Sequence, residues 1–327
     1  MIGRRDLAAL IVAAGVGSIL APAAQAQDRY PNRPVKIIVP TVAGGTVDVI
    51  TRLTANDLSS RLGVSFFVDN RSGAGNTLGS REAVRAEADG YTLLMSSASG
   101  QVISPLVYRN VDYDPIKSFA PIGLVAEGSI ILVVNPSLPF KSVPELVAHA
   151  KANPGKLNYG SAGTGTLPHL AGELFKSVAG VDLVHVPYRG GALSIADVIA
   201  GNVQLTFEAA SPLLPHIRDG RLRALAVLSK ARLADLPDVP SAAESGYPTL
   251  VATTWTGLFA PSATDAAIVA KLNAALNEGL RSPELKAALA KVGNAPMGGA
   301  PDALTAMLMA ENARWAPIVK ALNLKAD

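Results

Sequence analysis

The feature that most constrains this chain is an alternation of short apolar runs, rich in β-branched residues, with longer amphipathic segments. Residues 35–39 form one such run, and residues 47–62 follow with the apolar spacing of a helix. Further strand-like runs at 65–68 and 91–95 flank a helical segment near 78–88. Strands that alternate with helices are typical of parallel sheets covered by helices. The sequence therefore predicts an α/β fold that opens with a doubly wound unit.

The same alternation continues towards the C-terminal end of the sequence. We predict further helices at 143–152, 167–178, 193–200, 265–280, 283–292 and 301–322. We predict further strands at 157–159, 183–186, 203–207, 222–228 and 253–259. A second α/β unit therefore follows the first.

Two nearly continuous apolar runs, at 122–126 and 130–134, indicate where the chain passes between these units. Only Glu127-Gly128-Ser129 separates them, and we interpret the pair as the first crossover between two lobes. The chain of 327 residues also exceeds the size at which a single core usually stops growing. We predict lobe 1 over 27–126 and 252–327, and lobe 2 over 127–251.

The N-terminal residues have the three parts of a secretory signal peptide. Arg4 and Arg5 precede an uncharged stretch at 7–21, and Ala24-Gln25-Ala26 follows it. The stretch is shorter than the roughly 20 residues of a membrane-spanning helix, which disfavours a permanent anchor. Paired arginines also occur in twin-arginine signals, so the export route stays open. We expect cleavage after Ala26, export to the periplasm, and a fold that excludes residues 1–26.

Composition and charge exclude several kinds of site. The chain has no cysteine, which excludes disulfides, thiolate nucleophiles and cysteine-ligated metals. Its formal net charge is +3 and no basic cluster is present, which argues against nucleic acid or a membrane surface as a partner. The four histidines are scattered without an HxxxH pair. No metal site and no cofactor is therefore predicted.

Three glycine-bearing segments lie where a predicted strand ends and a helix begins. The N–H groups of a first helical turn lack partners and carry a partial positive charge, so an anion fits there. Glycine and serine are also ordinary turn and cap residues, but three such segments at corresponding places favour a carboxylate site. The candidate residues are Ala43, Gly44, Gly45, Thr46 and Asp48 in the first, Ser97 and Ser99 in the second, and Ser161, Gly163, Thr164, Gly165, Thr166 and His169 in the third.

Other catalytic and cofactor motifs do not match. The segment 73–79 has one residue too many for GxGxxG, and 160–163 lacks the spacing of a GxSxG nucleophile elbow. Ser161 and His169 could form a nucleophile and base, but no orienting acid is apparent. The sequence therefore favours a binding protein over an exported hydrolase, and it predicts no enzymatic activity.

Several longer segments match one family. They make the chain resemble the tripartite tricarboxylate transporter receptors, also called Bug proteins, over essentially the whole length after the signal peptide. The segments are 30–35 (YPNRPV), Gly44-Gly45 with Asp48, 70–75 (NRSGAG), 88–93 (ADGYTL), 161–166 (SAGTGT), 169–173 (HLAGE), 185–190 (HVPYRG), 236–240 (LPDVP) and 255–261 (WTGLFAP).

This resemblance implies a type II periplasmic binding fold. In such a fold two lobes, each a doubly wound, mainly parallel sheet flanked by helices, are joined by a two-strand hinge. The ligand would be a dicarboxylate, tricarboxylate, acidic amino acid or aromatic acid, held mainly by backbone groups and delivered to separate membrane transporter subunits. By the same resemblance, Tyr188, Arg189, Gly190 and Glu208 are further cleft residues.

The sequence departs from the family pattern at three places. The first loop reads Pro40-Thr41-Val42-Ala43-Gly44-Gly45, without the usual aromatic residue and second proline. Gln101 stands where many relatives carry histidine, and Glu208 stands where Asp or Asn is frequent. We therefore expect an atypical ligand within the usual class. A monomer that supplies a transporter is the expected role, with presentation of the ligand to a sensor kinase as the alternative.

Overall fold

The computed structural model of the chain describes residues 30–326. The predicted signal peptide at 1–26 lies outside the described residues, as do 27–29 and 327. None of the helices between residues 30 and 326 combines the length and the hydropathy of a membrane-spanning segment.

The first lobe is built around three parallel strands, with β1 between β2 and β3. Its elements are β1 (Val35–Val39), α1 (Thr46–Leu62), β2 (Phe66–Asn70), α2 (Thr77–Val84), β3 (Thr92–Ser97) and the short α3 (Ser104–Val107). Helix α1 ends because Gly63 adopts the left-handed conformation, with φ of 71°, and its N–H bonds to the Ser59 carbonyl. Strand β1 therefore lies at the centre of this lobe.

The second lobe repeats the arrangement, with β5 between the parallel strands β6 and β7. It is entered through β4 (Phe119–Val134) and contains α4 (Val143–Ala152), β5 (Asn158–Ser161), α5 (Leu167–Ala179), β6 (Val184–Pro187), α6 (Gly191–Ala200), β7 (Leu205–Ala209), α7 (Ala210–Arg218) and β8 (Arg223–Val227). The Ser142 hydroxyl accepts a hydrogen bond from the Glu145 N–H, and the Glu145 carboxylate accepts one from the Lys141 N–H. This cap explains why α4 begins where the sequence predicts it.

The chain then returns to the first lobe. The returning elements are β9 (Thr253–Pro261), α8 (Ala266–Arg281), α9 (Pro283–Lys291), β10 (Asn294–Pro296) and α10 (Pro301–Ala321). Helix α10 packs on β4 and buries Trp315 completely. The Trp315 Nε1–H donates a hydrogen bond to Glu311 at 2.9 Å, so the only polar atom of that indole has its partner.

Two long strands, β4 and β9, join the lobes. The strand order through the sheet is β2-β1-β3-β9-β4-β7-β5-β6, and β8 and β10 also pair with β4. β4 is antiparallel to β9 as far as the pair Ser129–Thr253, and from Ile130 onwards it pairs with β7 and β8. The fold is thus a two-lobed α/β fold in which each lobe combines three parallel strands with antiparallel crossover strands. The division at 126/127 and 251/252 stays a prediction.

Three element predictions are wrong in detail. The runs at 122–126 and 130–134 form one continuous strand, because Gly128 and Ser129 keep extended pairing with β9. The strand predicted to end at Met95 continues to Ser97, because its last residues pair with Gly257 and Thr256. The helix predicted at 78–88 ends at Val84, where the next N–H groups bond to carbonyls three residues back.

The sequence also left some elements unpredicted. Helix α7 contains Pro212 and Pro215, which obscure a helical pattern. Residues Ser99–Ile103 form a π-helical turn between β3 and α3, and β10 has three residues. The two unpredicted segments next to β3 and β7, namely this turn and α7, both begin at the cleft between the lobes.

Candidate functional site

A cleft of about 660 Å³ lies between the two lobes. From the first lobe, residues of the loop before α1, the turn at 72–76, Ser97, Ser99 and Tyr108 line it. From the second lobe, residues of the loops before α5 and α6 and the junction of β7 with α7 line it. This volume suits a ligand of a few heavy atoms up to drug size.

Four helices begin at this cleft. The lining includes Gly45–Val47 at the start of α1, Thr166–Pro168 at α5, Gly190–Ala192 at α6 and Ala209 at α7. Each helix start carries unsatisfied N–H groups and a partial positive charge of about half an elementary charge. The four starts together make the cleft attractive to anions although few basic side chains line it.

Three of these helix starts keep two or more first-turn N–H groups free. At α5, the Leu167 N–H donates to Ser99 Oγ at 3.0 Å, and Pro168 has no N–H. At α7, the Ala209 N–H donates to Glu208 Oε1 at 2.9 Å. In residues 30–326, the first-turn N–H groups of α1 and α6, and those of Ala210 and Ser211 in α7, have no hydrogen-bond partner, and no side chain caps any of these three helices. Uncommitted donors therefore lie at the start of α1 in the first lobe and at the starts of α6 and α7 in the second.

A buried aspartate supports the backbone of the loop before α1. The Asp48 carboxylate accepts hydrogen bonds from Gly44 N at 2.9 Å, Arg52 Nη2 at 3.0 Å and Asn70 Nδ2 at 3.0 Å. Burial alone would raise the pKa of the Asp48 carboxyl, but these hydrogen bonds outweigh it and hold that pKa below its usual value. Gly44, Gly45 and Thr46 line the cleft, whereas Asp48 and the exposed Ala43 do not.

The loop before α5 has a similar polar support behind it. Gly163, Thr164 and Thr166 line the cleft, whereas Ser161, Gly165 and His169 lie behind them. Ser161 Oγ accepts a hydrogen bond from Gly163 N at 3.1 Å, and His169 Nδ1 accepts one from Gly165 N at 3.3 Å. Ser161 and His169 thus hold the backbone of the loop in shape.

The serine and histidine named for a hydrolase are not paired with each other. Ser161 Oγ is bonded to His185 Nε2 at 2.7 Å, and Ser161 has no exposed surface. His185 stacks on His169 with a ring separation of 4.1 Å. Burial lowers the pKa of His169, and burial followed by the nearby His169 and Lys176 lowers the pKa of His185 to about 3. Both imidazoles are therefore neutral supports.

Direct contacts between the lobes close the cleft on one side. The Tyr108 hydroxyl donates to the Thr164 carbonyl at 3.1 Å, and the single proton of the Ser104 hydroxyl is shared between the Gly165 carbonyl at 2.9 Å and the Gly75 carbonyl. On the other side, a Cβ atom at Gly190 would lie 2.7 Å from Cγ2 of Val42. Glycine at 190 therefore lets the loops before α1 and α6 approach each other.

The charged residues that line the cleft are Arg189 and Glu208. Arg189 is exposed, whereas Glu208 is 6% exposed. Glu208 Oε2 has no hydrogen-bond partner among residues 30–326. Burial raises the pKa of the Glu208 carboxyl to about 7, and the Ala209 N–H lowers it only in part. Tyr188 and Gly190 also line the cleft, with the Tyr188 hydroxyl bonded to Asp197 at 2.6 Å.

Sequence reasoning missed part of the lining. The turn at 72–76 belongs to the segment NRSGAG, which the family comparison singled out without assigning it to the cleft. Its backbone adopts a conformation that is uncommon for residues other than glycine, with positive φ at Ala74 and Asn76 as well as at the glycines. Tyr108 had no local signal, because its role depends on a carbonyl 56 residues away. Between residues 30 and 326, no group of three potential metal ligands is present.

Comparisons with known proteins identify relatives over most of the chain. The family model described as "Tripartite tricarboxylate transporter family receptor" matches residues 50–324. The protein in the tcbD–tcbE intergenic region of Pseudomonas sp. strain P51 is 37% identical, over 100% of this chain and 96% of its own length. Protein BugT of Bordetella pertussis is 36% identical, over 98% of each chain.

Solved structures are similar over the same range. Rpa4515 of R. palustris with adipate has a TM-score of 0.88 and 35% identity, covering 90% of this chain and 99% of that one. MatC of Rhodopseudomonas palustris with bound malate has a TM-score of 0.84 and 29% identity, covering 89% and 100%. The chain therefore belongs to the tripartite tricarboxylate transporter receptor family, the family of the Bug solute-binding proteins.

Proposed function

We propose that this protein is an extracytoplasmic solute-binding protein that captures a small carboxylate and delivers it to the membrane subunits of a tripartite transporter. The observation that carries the proposal is the pair of helix starts with free N–H groups, α1 and α6, whose loops approach each other from opposite lobes of one cleft. Each of the two oxygens of a carboxylate can accept hydrogen bonds from such N–H groups.

The ligand would be held mainly by the backbone. Each helix start contributes about 0.3–1 kcal/mol to an exposed anion and up to about 2 kcal/mol to a partly buried one. The hydroxyl groups of Thr41 and Thr46 are buried beside α1 and have no partner in the described part of the chain, so they are available to the ligand. Arg189, exposed at the edge of the cleft, would attract anions from solvent.

The relatives with known ligands support a carboxylate. Rpa4515 was solved with adipate and MatC with malate, and both are linear acids with two carboxyl groups. A dicarboxylate of four to six carbons is therefore our first choice among dicarboxylates, tricarboxylates, acidic amino acids and aromatic acids.

Capture would use the two crossover strands as a hinge. β4 changes partners between Ser129 and Ile130, and β9 starts at Thr253, so both connections pass between the lobes at the same level of the sheet. We place the lobe division at 126/127 and 251/252, close to this level. One chain suffices because its own residues line the whole cleft, and we expect export with removal of residues 1–26.

A thermal-shift series tests the proposal. Succinate, glutarate, adipate, L-glutamate, citrate and benzoate would each be added to the purified protein, with the matching amides or methyl esters as controls. An acid at a hundred times its Kd should stabilise the fold by about 2.7 kcal/mol and raise the Tm accordingly. Equal stabilisation by the amides or esters would contradict recognition of the carboxylate.

A further inference from the structure

Glu208 is an acidic residue in a cleft that otherwise attracts anions. It lies near the end of β7, is 6% exposed, and leaves Oε2 without a hydrogen-bond partner in residues 30–326. Its other oxygen accepts only the N–H of Ala209. A buried polar group without a partner costs free energy, and a buried charge costs more. A ligand in the cleft can supply the missing partner.

No side chain of the described residues neutralises this carboxyl. Its neighbour on β4 is the apolar Ile131, and glycine at 191 leaves room for the Oε2 atom, since a Cβ there would lie 2.2 Å from it. The titratable and charged groups on the surrounding elements do not bond to Glu208. Four of them are bonded to other residues: Tyr159 to Glu173, Tyr188 to Asp197, Arg218 to Asp235 and His185 to Ser161. The other three, His169, His216 and Arg189, make no bond to Glu208. Burial is the main influence on its protonation.

A carboxylate ligand makes the ionised form of Glu208 still less favourable. The helix starts at the cleft supply only about half an elementary charge each, so two carboxylates in one closed site, with no cation between them, stay ionised together only at a cost. Arg189 is exposed at the edge and makes no contact with Glu208. A proton on Glu208 removes the repulsion and creates a donor, and an O–H group bonded to a carboxylate makes a strong hydrogen bond.

Resting on the proposed function, we propose that Glu208 binds the ligand as a neutral carboxylic acid that donates a hydrogen bond to it. Binding of a fully ionised carboxylate then takes up one proton from solvent. Affinity for the anion is highest at low pH, where Glu208 is already protonated, and falls as the pH rises. Glu208 thus selects ligands that present an oxygen acceptor at this end of the cleft.

The opposite arrangement would be an ionised Glu208 that binds an ammonium group of the ligand. In that case the affinity would rise with pH and no proton would be taken up. The two arrangements therefore predict pH dependences of opposite sign.

Titration calorimetry of the full-length mature protein distinguishes them. The tightest binder among succinate, glutarate and adipate would be titrated at pH 6 to 9, in pairs of buffers with different ionisation enthalpies. At pH 8 the wild type should take up close to one proton per ligand. Its affinity should fall about tenfold per pH unit above pH 7, the slope of one linked proton. Binding without proton uptake, or affinity that rises with pH, would overturn the proposal.

Glu208→Gln is the matched variant, because its amide keeps the shape and the donor of a protonated glutamate but cannot titrate. It should bind the same acid with no proton uptake and with an affinity that does not change between pH 6 and 9. A variant whose affinity still falls tenfold per pH unit would contradict the role of Glu208. If none of the six acids of the thermal-shift series binds either protein at pH 6, the proposed function itself is wrong, which is a different result from pH-independent binding.

Discussion

At the scale of single residues, the polar side chains around the cleft are of two kinds: some line the cleft, and others support the loops that line it. Asp48, Ser161 and His169 hold the backbone of the two glycine-rich loops, whereas Glu208 lies in the wall. Each supporting group is satisfied by hydrogen bonds, and Glu208 is not. Substitutions of the supporting residues should therefore have different effects from substitutions of Glu208.

Glu208→Gln should change how stability depends on pH. The pKa of Glu208 is about 7 in the folded protein against an ordinary value of 4.5, so the folded state binds more protons between these values. The free energy of unfolding then falls as the pH rises from 4.5 through 7, by about 3 kcal/mol for this group. Denaturant unfolding should show that the free energy of unfolding of Glu208→Gln, relative to that of the wild type, is higher at pH 8 than at pH 5. A constant difference at both pH values would contradict the buried, titrating carboxyl.

Asp48→Asn should disturb the first loop. The amide cannot replace all three hydrogen bonds from Gly44, Arg52 and Asn70, so we expect a loss of about 1–3 kcal/mol in the free energy of unfolding. Ligand affinity should fall too, because Gly44 and the start of α1 lose their support. Asp57→Asn is the control, since Asp57 pairs with Arg61 in the same helix away from the cleft. Equal losses of affinity in the two variants would count against a positioning role for Asp48.

At the scale of elements, the helix starts carry the site. Local periodicity and glycine-bearing loops were enough to predict most strands and helices, and the loops before α1 and α5, because those signals are local. The sequence could not separate lining from support, since Ser161 meets His185 24 residues away and Ser99 meets Leu167 68 residues away. It also missed α7, whose prolines obscure a helix, and thus one of the four helix starts.

Gly190 and Gly44 allow a matched test of the approach of α1 and α6. Both have positive φ, 120° and 80°, so alanine strains the backbone at either position. Only at Gly190 would the new Cβ collide with the other lobe, 2.7 Å from Val42, because Gly44 has nothing within 4 Å. Gly190→Ala should therefore weaken ligand binding about tenfold more than Gly44→Ala, a cost within the range of local strain.

Val42→Ala provides the rescue. Adding it to Gly190→Ala removes the methyl group in the way and should restore part of the affinity in calorimetric titrations. If the double variant binds as weakly as Gly190→Ala alone, the contact between the loops does not limit closure.

At the scale of the whole molecule, function depends on how the lobes close. Tyr108 and Ser104 of the first lobe donate hydrogen bonds to the loop before α5 in the second, and the Leu167 N–H returns one to Ser99. The largest apolar cluster also continues across the crossover strands, from Leu94 through Leu132 to Phe207. The closed arrangement thus combines specific hydrogen bonds between the lobes with an apolar core that both lobes share.

Tyr108→Phe should weaken the closed state without altering either lobe. It removes one hydrogen bond, to the Thr164 carbonyl, which is worth about 0.5–1.5 kcal/mol. The ligand dissociation rate should rise two- to tenfold while the association rate stays the same, which stopped-flow measurements can resolve. A change confined to the association rate would contradict this role.

The most direct measurement is a crystal structure of the protein with its tightest-binding dicarboxylate. The account predicts one carboxylate between the starts of α1 and α6, with its oxygens within about 3.2 Å of the backbone nitrogens there. It predicts an oxygen of the ligand within hydrogen-bond distance of Glu208 Oε2, which lies beside Gly191 at the start of α6. A ligand whose carboxylates pair with Arg189 at the edge, or lie outside the cleft, would contradict it.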